Sequence, residues 1–134
     1  MSLIKETAAG LDGLAQLRKL IASGRKPGIL MSLEFDFIEV ESGRAVFADV
    51  SGDHTYNPIG AVHGGYVATL LDSACGCSAH SCLTATHAYT TLELKVAYHK
   101  AITRDMGLLR AEGRLLSIGW LFASATSTLL VMER

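Results

Sequence analysis

Between residues 64 and 79 the chain carries a single ionisable acid or base, Asp72, and every other position is apolar, small, hydroxyl-bearing or a thiol. At helical spacing such a stretch is apolar nearly all round, which is the pattern of a buried helix. The rest of a short chain has to be arranged to cover it. His63-Gly64-Gly65 opens the stretch and His80-Ser-Cys82 closes it. A carboxylate inside an apolar helix is costly unless paired or hydrogen-bonded, so Asp72 has either a structural partner or a task.

The neighbours of Asp72 on its own face are small. Ala68, Thr69, Cys75 and Gly76 lie three and four residues away, and Gly65 and Ala79 lie seven away. That stripe leaves room for another backbone or a ligand, while Tyr66, Leu70 and Leu71 supply bulk on other faces. Gly64 and Gly65 stand where a helix N-terminus leaves free N–H groups, able to bind an anion or polarise a carbonyl oxygen. A carboxylate two turns further on, on the same side, is a candidate to act on that carbonyl or on a water.

A length of 134 residues fits one domain, residues 1–134, with a real core. Charged residues make up 19% of the chain against 49% hydrophobic. That low charge fraction predicts apolar surface covered by a second subunit. A net charge of −1 without a basic run argues against nucleic acid as a partner. The polar opening Met-Ser-Leu-Ile-Lys-Glu-Thr does not read as a signal peptide, and no apolar run is long enough to span a bilayer. The cysteines, three in number and all within residues 75–82, do not form a disulfide framework. A reduced cytoplasmic setting and no membrane partner are expected.

Along the chain, Leu11, Leu14, Leu17 and Ile21 recur at helical spacing over residues 10–23, stopped by Gly24 and Pro27. Residues 29–40 read as a strand whose phase shifts at Ile38 and Val40, the mark of a bulge. Glu41-Ser-Gly-Arg44 is a turn and residues 45–50 a second strand, giving a hairpin. A loop over 51–59, rich in turn formers, leads to the central helix. Three further strand-like runs follow. Residues 89–99 alternate Thr91, Glu93 and Lys95 with Leu92, Leu94 and Val96. Residues 106–116 place Arg110, Glu112 and Arg114 on one face, and residues 120–132 alternate again. Their short connections predict an antiparallel meander. The expected class is α+β: one curved antiparallel sheet wrapping one long buried helix, with a short N-terminal helix, which is the element order of the hotdog fold.

The segment Asn57-Pro-Ile-Gly-Ala-Val-His63-Gly-Gly-x6-Asp72, followed by Thr91-Leu-Glu93-Leu-Lys-Val-Ala-Tyr98, resembles the active-site region of the PaaI-type acyl-CoA thioesterases of the hydroxybenzoyl-CoA thioesterase superfamily. After Tyr98 the chain reads His-Lys-Ala-Ile, where that family often has a basic residue and a proline. The resemblance implies hydrolysis of an acyl-CoA, with an aryl, phenylacetyl-like or medium-chain acyl group. It implies a catalytic set of Asp72, Gly64, Asn57, His63 and Thr91. The Gly64 N–H would polarise the thioester, and Asp72 of the neighbouring subunit would be general base or nucleophile. Thr91 would position the water or the carboxylate, Asn57 would hold the loop or the carboxylate, and His63 would fix the turn. Gly65, Thr69, Lys95, Lys100 and Arg104 are the expected substrate contacts. No cofactor or metal is expected, and the partner chain is a second copy in a dimer, assembled further as a dimer of dimers.

Each residue also has a structural reading. Without the motif, Asp72 is an acid paired across an interface. The paired glycines serve close packing, Asn57 is a turn residue before Pro58, and Thr91 is a good strand residue. Cys75, Cys77, His80 and Cys82 suggest zinc, but residues 75 and 77 face apart on a helix. A cysteine nucleophile would need a basic partner nearer the helix start. Two other function classes stay open: a hotdog hydratase or dehydratase, and a non-catalytic acyl-CoA-binding protein.

Overall fold

Residues 2–104, 106–119 and 123–132 are described by the computed structural model of the chain. The chain begins with short helices: α1 (Leu3–Ala8), α2 (Gly13–Ser23) and α3 (Gly28–Ser32). α2 starts three residues later than the apolar spacing predicts. Gly10 takes a left-handed φ of 79°, and Asp12 caps the helix by accepting from the Ala15 N–H at 2.9 Å. Gly24 ends it at φ 66° with its N–H on the Ile21 carbonyl. Leu17 and Leu20 are the buried residues of its apolar stripe.

The strand expected from residue 29 begins later. Residues 28–32 are helical, with Pro27 before the first turn and Leu30 buried, so the apolar run Ile29-Leu-Met turns rather than extends. Glu34 at φ 58° redirects the chain into β1 (Asp36–Glu41). The expected bulge is present: Phe37 pairs with Phe47 and Glu39 with Val46, which leaves Ile38 over. Gly43, at φ 75°, makes the hairpin turn into β2 (Arg44–Val50). The long helix α4 (Gly64–His80) follows the loop, and β3 (Leu108–Ile118) and β4 (Ala123–Met132) close the sheet in the order β1-β2-β3-β4, antiparallel throughout. Trp120, Leu121 and Phe122 of the last expected strand lie outside the described residues.

A second expectation fails. Residues 89–99 enter no ladder among the described residues. Alternation marks a chain able to pair, but here side chains of both phases engage α4. Tyr89 lies over Gly76, Thr91 reaches Asp72 and Tyr98 reaches Gly64, so the segment runs beside the helix in the opposite direction.

One sheet face packs on α4. Ala45, Phe47, Leu109 and Ala111 meet Tyr66, Val67, Leu70 and Ala74, and Phe35 packs edge-on to Phe47 and Tyr66. At the centre, Gly113 lies so close to the helix that a Cβ there would stand 2.1 Å from the Ala74 carbonyl oxygen. α2 docks on the far end of α4: Gly13 donates to the Leu83 carbonyl at 2.8 Å, and His80 Nε2 is 2.7 Å from Gln16 Oε1. The opposite sheet face carries the expected charges. Glu112 accepts from Arg44 at 3.1 Å and from Arg110 at 2.8 Å, and Arg44 also reaches Glu39 at 2.9 Å.

Two outcomes follow from these contacts. Gly113→Ala places a methyl group into a peptide, not into a movable side chain, and lowers stability by about 3 kcal/mol or more, read as a shift of the urea midpoint. The hydrogen bonds from Arg44 and then Arg110 hold the Glu112 carboxyl down at about 2, below its ordinary 4.5. A depressed carboxyl stabilises fully above its unfolded value, and that contribution is lost as pH falls through the folded one. Glu112→Gln therefore costs about 1 kcal/mol at neutral pH. In urea titrations its deficit against wild type shrinks between pH 4.5 and about 2.

Candidate active site

The loop before α4 is wound around Asn57. Its Oδ1 accepts from the backbone N–H groups of Ile59 and Ala61, each at 3.1 Å, and its own N–H donates to the Ala61 carbonyl at 2.8 Å. Gly60, at φ 81°, completes the turn by donating to the Asn57 carbonyl. Asn57 is thus the loop-holding residue, with its side-chain oxygen occupied by backbone. The His63 N–H then bonds the Thr55 carbonyl at 2.7 Å, which seats His63 at the start of the helix.

His63 is the N-cap. Its Nδ1 accepts from the Gly65 N–H at 2.9 Å, and its carbonyl accepts from Tyr66 and Val67 at 3.0 and 3.2 Å. The Gly65 N–H is therefore engaged and is not available to a substrate oxygen. Of the first-turn donors, only the Gly64 N–H has no partner among the described residues. Tyr98 donates its hydroxyl to the Gly64 carbonyl at 2.6 Å.

Asp72 is half-buried in the protomer rather than enclosed, and its Oδ1 accepts from the Thr91 hydroxyl at 3.0 Å. The two residues singled out nineteen apart in sequence are thus in contact. Asp72 lies eight residues beyond Gly64, a rise of about 12 Å along the helix. Within one chain the carboxylate and the Gly64 N–H are too far apart to act on one carbonyl group. The idea that both could do so from the same helix is corrected by that rise.

Of the expected substrate contacts, Thr69 turns its hydroxyl back onto the Gly65 carbonyl at 2.9 Å. Lys95 pairs with Glu93 at 3.2 Å on the exposed surface, and Lys100 is exposed. Arg104 stacks over the Tyr56 ring at 4.5 Å and lies 3.4 Å from Asp53. Nothing brings these cations together around Asp72. The Cys77 thiol is pushed up to about 12, by burial first and then by the Asp72 charge. Among the described residues no three His, Cys, Asp or Glu side chains gather as a metal site.

Sequence reasoning missed both tyrosines on this face. Tyr98 covers Gly64, and Tyr89 lies over Gly76, where a Cβ would come 2.4 Å from its hydroxyl. A mid-helix glycine is costly without a reason, so Gly76 was the available signal of a close approach. The Tyr66 hydroxyl, bonded to Asp49, which is in turn 3.0 Å from His54 Nε2, was also missed. A buried tyrosine needs such a partner, but sequence does not say which one.

The chain matches the family model of the thioesterase superfamily over residues 59–120, which contains His63, both glycines, Asp72 and Thr91. Solved structures share the fold. A thioesterase family protein of Silicibacter pomeroyi has a TM-score of 0.77 at 23% identity, covering 87% of this chain and 85% of its own. A putative thioesterase of Ralstonia eutropha, named as a phenylacetic acid degradation-related protein, has 0.74 at 22%, covering 84% and 86%. The PaaI protein of the E. coli phenylacetic acid degradation operon has 0.70 at 18%, covering 82% and 77%. No curated protein sequence matches the chain. The chain shares the hotdog fold of these proteins, and its residues 59–120 carry the sequence pattern of the thioesterase superfamily, by class that of a thioester hydrolase. The resemblance to PaaI-type enzymes read from residues 57–98 overlaps that matched segment, and the PaaI protein shares the fold.

Proposed function

We propose that the protein hydrolyses acyl-CoA thioesters to a free acid and CoA, with Asp72 as general base or nucleophile and the Gly64 N–H as the donor to the developing oxyanion. The observation that carries this reading is the Thr91 bond to Asp72, which orients the one carboxylate of α4. In the general-base route Asp72 takes a proton from water as the water oxygen attacks the carbonyl carbon. Negative charge moves to the carbonyl oxygen at the Gly64 N–H. The carbon–sulfur bond then breaks and the CoA thiolate takes up the proton. In the nucleophilic route Asp72 attacks the carbonyl carbon, CoA leaves, and water hydrolyses the resulting anhydride. A single oxyanion donor is typically worth about a hundredfold in rate or more.

Two copies are needed for this chemistry. The rise of about 12 Å between Gly64 and Asp72 separates donor and carboxylate in one chain, so the working pair is Gly64 of one protomer with Asp72 of its partner. Residues 89–98 support a homodimer, because Leu92 is 90% and Tyr98 56% exposed on a segment with no ladder partner among the described residues. A dimer of dimers in the cytoplasm is the assembly we favour. Aryl, phenylacetyl-like and medium-chain acyl groups suit the apolar surroundings, and the Ralstonia and E. coli relatives named for phenylacetic acid degradation support the second of these. The scattered, exposed placement of Lys95, Lys100 and Arg104 favours recognition of CoA through its pantetheine arm over its phosphates.

Asp72→Asn keeps shape and removes both proton acceptance and attack. It lowers kcat by about a thousandfold or more with KM little changed, the signature of a lost transition-state interaction. The assay is thiol release across an acyl-CoA panel, with enoyl-CoA hydration run beside it. Activity within about tenfold of wild type would remove Asp72 from the mechanism and favour a non-catalytic acyl-CoA-binding protein. Sedimentation equilibrium is expected to give a dimer or larger, and an active monomer at 14.3 kDa would overturn the shared site.

A further inference from the structure

We infer that Tyr98 is a positioning residue for the oxyanion donor: together with His63 it clamps the Gly64–Gly65 peptide and so fixes the direction of the Gly64 N–H. This rests on the reading of Gly64 as that donor. The peptide between Gly64 and Gly65 is held at both polar ends by side chains. Its carbonyl accepts from the Tyr98 hydroxyl at 2.6 Å, and its N–H donates to His63 Nδ1 at 2.9 Å. The preceding peptide carries the Gly64 N–H, and its carbonyl is held by the Tyr66 and Val67 N–H groups. Gly64 is the hinge between these two planes. As glycine it has the widest backbone freedom of any residue, so an unclamped Gly64 would let its N–H swing.

Glycine is also what admits the clamp. A Cβ at Gly64 would lie 3.3 Å from the Tyr98 ring carbon and from its hydroxyl oxygen. The ring is seated against the bare Cα, with the hydroxyl directed at the carbonyl. Within its own protomer Tyr98 is 56% exposed, and its specific contact there is the hydroxyl bond. Thr91, seven residues earlier on the same segment, orients Asp72. One stretch of chain therefore sets the direction of both reacting groups of its own protomer, the donor at one end of α4 and the carboxylate two turns on.

The test is Tyr98→Phe in the intact homo-oligomer, which keeps the ring and removes the hydroxyl. Loss of one neutral hydrogen bond corresponds to about a fivefold effect. The expected result is kcat lower by about fivefold, KM within about twofold of wild type, an unchanged melting temperature, and faster hydrogen exchange of the Gly65 amide by NMR. A merely structural tyrosine would move the melting temperature and leave kcat alone. Unchanged Gly65 exchange overturns the clamp and leaves the Gly64 reading standing. Faster exchange with unchanged kcat overturns the positioning role. A raised KM with unchanged kcat makes Tyr98 a substrate contact and also overturns the proposal. The underlying function fails separately, through retained turnover in Asp72→Asn.

Discussion

The structure depends on the contact between the middle of α4 and the sheet. Gly113 on β3 faces the peptide joining Ala74 and Cys75, with a hypothetical Cβ 2.1 Å from one oxygen and 2.7 Å from one nitrogen. Ala45, paired with Gly113 across the ladder, is fully buried beside it. Small residues on both elements bring helix and sheet to backbone contact, and Leu70, Phe47 and Leu109 fill the space around it. This contact also aims the chemistry. Asp72 is two residues before Ala74, about 200° around the helix. Pressing Ala74 onto the sheet turns Asp72 away from it, toward residues 89–98. The lone carboxylate is placed by a glycine on a strand it does not touch.

The outer face of α4 is organised by a second set of small residues. Gly76 accepts the Tyr89 ring, Gly64 accepts the Tyr98 ring, and between them Asp72 holds Thr91. These contacts occupy the side chains that would otherwise face a neighbouring strand, so the segment follows the helix and leaves Leu92 in solvent. An exposed leucine beside a half-buried carboxylate is poor design for an isolated protomer. It is sensible where another chain arrives, since apolar contact and a shared polar centre are then buried together.

Much of this was legible in sequence because it follows from local rules. The long helix α4, the hairpin at Gly43, the bulge at Ile38 and the shared face of Arg110, Glu112 and Arg114 each come from periodicity or turn chemistry within a few residues. What was not legible depends on distant partners. Ile29-Leu-Met fits helix and strand alike over so short a run, and only the left-handed Glu34 and the burial of Leu30 decide for a helical turn. Residues 89–99 alternate as a strand does, but pairing needs a neighbour, and alternation does not say whether one exists. For the site, the resemblance singled out His63, Gly64, Asp72 and Thr91, and Thr91 does meet Asp72. It did not show that His63 consumes the Gly65 N–H, or that the helix rise parts donor from carboxylate. Tyr98 and Tyr89 have no local signature, because a tyrosine at strand spacing looks like any other.

The geometry also bears on which group on α4 attacks the thioester. Cys77 is the strongest nucleophile by type, but only as a thiolate. Burial raises its thiol to about 12, and the nearby Asp72 charge adds to the rise, so at neutral pH it stays protonated. Burial first, then Cys77 and then the Asp72 charge raise the Tyr89 hydroxyl, which removes a phenolate from consideration. Burial thus keeps the thiol and the phenol near Asp72 in their neutral forms, and the Asp72 charge adds to it. Thr91, which orients it, is a donor, with its hydroxyl committed to Asp72 Oδ1. With the hydroxyl and thiol groups neutral and the His63 Nδ1 occupied by a backbone N–H, the carboxylate is the group among the described residues of this face that the proposed function puts to work. On a helix that is apolar elsewhere, this is why the proposed mechanism rests on Asp72, with the Gly64 N–H, which has no partner among the described residues, as its proposed complement.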